Sequence, residues 1–130
     1  MNRLSRQRIV VLWGEAAFGK PQMVNKQQRA IRLIEEAIEL CQSLDVDAGA
    51  IKNVVDYVYG RPVGDPSAEL GGVSVCLLAL ADALGVSADE CEETEITRIL
   101  SKPIEHFTKR NEQKNAAGLI AVGLLHQAEK

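Results

Sequence analysis

Asp65-Pro-Ser-Ala-Glu69-Leu-Gly-Gly72-Val-Ser-Val-Cys76-Leu-Leu-Ala-Leu-Ala-Asp82-Ala-Leu-Gly85 is the stretch on which the fold turns. Asp65 offers a side-chain acceptor before a proline at the first helical position, and Gly85 closes the segment, so residues 66–84 read as one helix. Its apolar residues lie nearly all round, through Leu70, Val73, Val75, Cys76, Leu77, Leu78, Leu80 and Leu84. Such a helix is expected to be the central, most buried element of an all-α protein. Gly71 and Gly72 together cost about 2 kcal/mol of helix propensity relative to alanine, which implies close backbone approach there by a neighbouring helix or a ligand.

The same start and stop signals recur on both sides of this helix. Residues 3–18 carry helical apolar spacing and end at Gly19 and Pro21. Asn25 with Gln28 resembles a capping box, and Ala30, Ile31, Ile34, Ala37, Ile38 and Cys41 then continue at helical spacing to Leu44-Asp45. Asp47 caps a helix through Val58, which Gly60 and Pro62 terminate. Ser87 with Glu90 opens another, to about Leu100, and Pro103 kinks it or starts a sixth helix reaching about Asn115. No segment shows strand alternation. The expectation is an all-α bundle of five to six helices, a single domain over 1–115 with a tail over 116–130, completed by oligomerisation because so apolar a helix needs more cover than a small chain supplies.

Composition narrows the function. The chain has 130 residues, 46% of them hydrophobic, and a net charge of −3 with few aromatics, which suits a globular core and disfavours a nucleic-acid-binding surface. Residues 1–30 are net +5 and residues 101–130 net +2, around an acidic middle. Cys41, Cys76 and Cys91 form no CxxC pair and read as reduced, structural thiols of a cytoplasmic protein. The longest apolar run, Val73 to Ala81, is about half of what a bilayer needs, so no membrane partner is expected. Trp13 reads as a core or interface anchor, and His106 and His126 as packing or surface residues.

The acidic middle holds the candidate site. At about 100° per residue, Glu35, Glu36 and Glu39 share one sector of their helix, opposite an apolar stripe through Ile34. A solvated face accounts for three glutamates alone. Glu69, entering a helix that is otherwise apolar, instead needs a counter-charge, a metal or the helix N-terminus to hold it. Carboxylates on two helices suit a hard cation such as Mg²⁺, and Arg32, Lys109, Arg110 and Lys114 are the basic residues available for phosphate.

With these residues in view, the sequence resembles the MazG-like all-α nucleoside triphosphate pyrophosphatases, short phage-type members in particular. Arg32-Leu-Ile-Glu35-Glu36-Ala-Ile-Glu39-Leu40 corresponds to the family's EExxE motif and Glu69-Leu-Gly-Gly72 to its ExxD motif, while Tyr57-Val-Tyr-Gly-Arg-Pro-Val-Gly-Asp65 resembles the phage-type spacer. The resemblance spans about residues 13–115. It implies Mg²⁺, with Mn²⁺ as the alternative ion, on Glu36, Glu39 and Glu69. Glu35 would be a further ligand or orient the attacking water. Arg32, Lys109, Arg110, Lys114 and Asn115 would lie on the substrate side, and the chain would form a homodimer or homotetramer. The implied reaction takes an NTP or dNTP to the monophosphate and pyrophosphate. Gly72 departs from the pattern, because the family's fourth carboxylate stands there. A water, Asp65, or a partner chain's carboxylate would have to substitute for it; otherwise the chain is a nucleotide-binding or purely structural helical oligomer.

Overall fold

The computed structural model describes residues 1–118, and the last part of the expected tail, with His126, lies outside them. Seven helices are present among the described residues: α1 (Arg3–Phe18), α2 (Lys20–Met23), α3 (Lys26–Ser43), α4 (Ala48–Tyr59), α5 (Pro66–Leu84), α6 (Ala88–Ser101) and α7 (Ile104–Ala116). The protein is all-α. The caps are those that the side chains dictate: Asn25 accepts from the Gln28 amide, Asp47 from Ala50, Asp65 from Ala68, and the Ser87 hydroxyl from Glu90. Asn2 does the same for α1, accepting from Ser5. The seventh helix is the single turn α2. Gly19, at φ 85°, stops α1, and Pro21 supplies a favourable first turn immediately afterwards.

The chain forms two compact units, residues 1–46 with 100–118 and residues 47–99. In the first, α1 packs on α2 and α7, and α2 packs on α3. Trp13 is the wedge of this unit. Its indole meets Phe18 edge-on at 5.3 Å and Phe107 at 4.9 Å between ring centroids, as quadrupolar rings prefer. The Met23 side chain of α2 lies over Gly14 of α1, where a Cβ would displace it. Across the unit, the Thr108 hydroxyl donates to the Ala17 carbonyl at 2.7 Å, and the Asn111 amide donates to Gln22 Oε1 at 3.0 Å.

The second unit, containing α4, α5 and most of α6, has a sparse interior of Ala81, Ile96 and Ile99. Here one expectation is corrected. Within the single chain α5 is not a buried central helix: Ala81 alone is buried, while Leu70 and Val75 are each about two-thirds exposed. The reason is that no helix of its own unit packs extensively against it. The length reading also changes. An uninterrupted run of nine residues is too short for a bilayer, but the whole of α5, 19 residues at mean hydropathy 1.5, is long and apolar enough to cross one.

Removing the aromatic wedge tests the first unit. Phe107→Ala is expected to destabilise the chain by about 3–5 kcal/mol in urea unfolding, as large-to-small changes at buried aromatics do, whereas Val63→Ala, at a fully exposed side chain, should leave the midpoint unmoved.

Candidate phosphate and metal site

α3 positions three of the four candidate carboxylates. Along its apolar stripe Ile34 and Ile38 are exposed, whereas Gln28 is buried and Arg32 and Glu35 are half-buried. These three occupy the glutamate sector, at about 120°, 160° and 100° from Ile34. The inward side of α3 is therefore its polar side, and its partner there is cationic.

That partner is α7. Lys114 Nζ lies 3.0 Å from Glu35 Oε1, and Arg32, one turn earlier on α3, donates to Glu35 Oε2. Arg32 also approaches Glu36 Oε1 at 3.7 Å. Burial acts to raise the Glu35 pKa, but the hydrogen bonds from Lys114 and Arg32, with their charges, outweigh it and hold the carboxyl below its ordinary value. Burial and the neighbouring Arg32 lower the Arg29 pKa, and its guanidinium lies 5.7 Å over the Phe18 ring.

The structure thus brings Arg32, Glu35, Glu36 and Lys114 together within the first unit. Glu39 is exposed one turn further along α3, and Lys109, Arg110 and Asn115 are exposed on α7 and take no part in these ion pairs. Glu69 belongs to the second unit. It stands in the first turn of α5, exposed, with its carboxylate over the backbone of Gly64, where a Cβ would collide with it. Because α5 is not buried, Glu69 needs no buried counter-charge: water and the helix N-terminus suffice.

Among the described residues no three His, Cys, Asp or Glu side chains form a metal-holding group. The donor chemistry of α3 nevertheless fits a hydrated hard cation, since Mg²⁺ takes one or two carboxylates and completes its shell with water and substrate phosphates. Glu36 and Glu39 present such oxygens to solvent. Glu35 fits this role less well, with each of its oxygens already engaged by a cation.

Sequence reasoning did not find the buried polar residues Gln28 and Asn111. Gln28 was visible only as a capping position, and the pairing of Asn111 with Gln22 bridges 89 residues, a separation no local pattern signals. Trp13 Nε1, Gln28 Oε1 and Arg29 Nε are buried with no hydrogen-bond partner among the described residues. No protein-family model, curated protein or solved structure matches the chain.

Breaking the interhelical ion pair has a signed consequence. Because the Glu35 pKa is lowered on folding, its stabilising contribution is complete above the ordinary carboxylate range and is lost as pH falls through the lowered value. Lys114→Met should therefore cost about 1 kcal/mol at neutral pH, near the upper end for exposed pairs. In thermal melts the difference from the parent chain should shrink toward zero on acidification below the carboxylate range.

Proposed function

We propose that this chain is a MazG-like, metal-dependent nucleoside triphosphate pyrophosphohydrolase that takes an NTP or dNTP to the monophosphate and pyrophosphate. The observation that carries the reading is the EExxE run on α3 with Arg32 and Lys114 converging on its first glutamate. Carboxylates and cations set together in this way serve both halves of a magnesium nucleotide.

In this reading Glu36 and Glu39, exposed one turn apart on α3, would offer carboxylate oxygens to Mg²⁺, or to Mn²⁺ in its place. A bound ion would supply polarisation of the phosphoryl oxygens and offset their charge. Glu35 accepts a hydrogen bond from the attacking water and orients it. Its lowered basicity suits that positioning better than full proton removal. Lys114 and Arg32 are shared between Glu35 and the triphosphate, while Lys109, Arg110 and Asn115 add polar contacts from exposed positions on α7. The reading includes self-association as a homodimer or homotetramer, supported by the exposed apolar residues of α4 and α5, and a cytoplasmic setting with nucleotide as the small-molecule partner.

A second reading has its own observation. Gly72, where the family's fourth carboxylate stands, has no side chain to offer, and a Cβ there would meet no atom within 4 Å, so among the described residues no other side chain lies against that position. A nucleotide-binding or purely structural helical oligomer is consistent with this.

Pyrophosphate release from a panel of NTPs and dNTPs with Mg²⁺ separates the two. The pyrophosphohydrolase reading expects release that chelation abolishes and that falls at least about a hundredfold in Glu36→Gln or Glu39→Gln, several kcal/mol of lost charge stabilisation. If no nucleotide gives pyrophosphate at high protein concentration, the reading fails. A nucleotide-dependent rise in melting temperature without turnover would then favour the binding protein.

A further inference from the structure

Four charged side chains of α3 and α7 are partly shielded from solvent, Arg29, Arg32, Glu35 and Lys114, while the other charged residues of the two helices are exposed. Three cations therefore share a single carboxylate. Two of them are committed to it: Arg32 donates to Glu35 Oε2, and Lys114 Nζ lies 3.0 Å from Oε1. Arg29 is not. Among the described residues no carboxylate forms an ion pair with it, and its Nε is buried without a hydrogen-bond partner.

An arginine in this state is held against its own electrostatic preference. Burial and the charge of Arg32 both disfavour its guanidinium ion, and like charges one turn apart on a helix repel. The side chain is nevertheless fixed in place. Its guanidinium lies over the Phe18 ring, 5.7 Å from the centroid, and Trp13 packs on the same ring at 5.3 Å. Two guanidinium groups a turn apart offer planar forks of N–H donors, which suit phosphate oxygens, and a dianion beside them replaces their mutual repulsion by a shared attraction. With Glu35 counted, the shielded side chains carry an excess of two positive charges, which matches a phosphoryl dianion and not a neutral or cationic ligand. The exposed carboxylates Glu36 and Glu39 begin about 10 Å further along α3, so the anion-holding and cation-holding ends of the site follow one another on one helix.

We propose that Arg29 binds a phosphoryl group of the nucleotide's triphosphate together with Arg32, and that it is the one shielded cation of the site that can do so without giving up Glu35. The inference rests on the nucleotide reading above and adds to it a residue outside the EExxE pattern. Arg29 acts here as a binding and positioning residue: it anchors the phosphate chain at the start of α3, and the reacting phosphorus is handled further along the helix.

The test is titration calorimetry with inorganic tripolyphosphate, in the presence of a chelator so that no metal takes part. It compares the full chain with Arg29→Gln, Arg29→Lys and Lys26→Gln, whose lysine is exposed one turn earlier on α3. The parent chain is expected to bind, and Arg29→Gln to bind at least about tenfold more weakly, the loss of one charge-assisted contact. Arg29→Lys should recover part of that loss, and Lys26→Gln should stay close to the parent. Thermal melts without anion separate this role from a structural one. Removing one of two repelling guanidinium groups should leave the melting temperature of Arg29→Gln at or above that of the parent chain, whereas a lowered melting temperature with unchanged tripolyphosphate affinity overturns the proposal. A parent chain that does not bind tripolyphosphate overturns it too, as do equal losses in Arg29→Gln and Lys26→Gln, the mark of diffuse charge attraction. Where an NTP is turned over, KM should rise at least about tenfold in Arg29→Gln with kcat little changed. Turnover with an unchanged KM overturns the role of Arg29 and leaves the pyrophosphohydrolase reading standing. Tripolyphosphate binding that depends on Arg29 in a chain that turns over no nucleotide overturns that reading and upholds Arg29 as a phosphate-binding residue.

Discussion

A helix with no polar side has to be covered by something, and α5 is such a helix with almost no cover from the other helices of its own unit. The sequence is 46% hydrophobic, yet among the described residues the buried apolar ones are Ala17, Ala81, Ile96, Ile99 and Phe107. Burial of apolar surface is the main favourable term in folding. A chain that leaves its most apolar helix in water forgoes much of that term until the helix is covered. The second unit depends most on this constraint, since its own interior is three residues.

The first unit solves a different problem, that of fixing polar groups between helices. Trp13, wedged between Phe18 and Phe107, draws α1 and α7 together, and Thr108 and Asn111 then pair with Ala17 and Gln22 across the unit. The same docking carries Lys114 to Glu35, so the packing of α7 and the ionic character of the candidate site are one arrangement. A carboxylate held by two cations stays charged to lower pH than an ordinary one. The same carboxylate is a poor proton acceptor, which is why water orientation is the role assigned to it.

The helices were legible because their signals are local. Asn25, Asp47, Asp65 and Ser87 each cap a helix through a backbone amide three residues on, and that geometry needs no tertiary partner. The faces are not legible in the same way. Apolar side chains ordinarily turn inward, but the side of α3 turned to the rest of its unit is that of Gln28, Arg32 and Glu35. Periodicity finds the two sides of a helix. It does not say which side meets its own chain when another surface can take the apolar one.

The sequence by itself determined an all-α chain, the limits of five of its helices, the clustering of Glu35, Glu36 and Glu39 on one sector, and the glycines of α5. These follow from short-range hydrogen bonding and from a 3.6-residue repeat. Only the tertiary structure decided that Lys114, rather than Lys109 or Arg110, meets Glu35, that Asn111 is buried against Gln22, and that α5 lies open. The first two outcomes depend on how the helices of the first unit dock, where Trp13 meets Phe107. Contacts between residues some ninety positions apart leave no trace in local spacing.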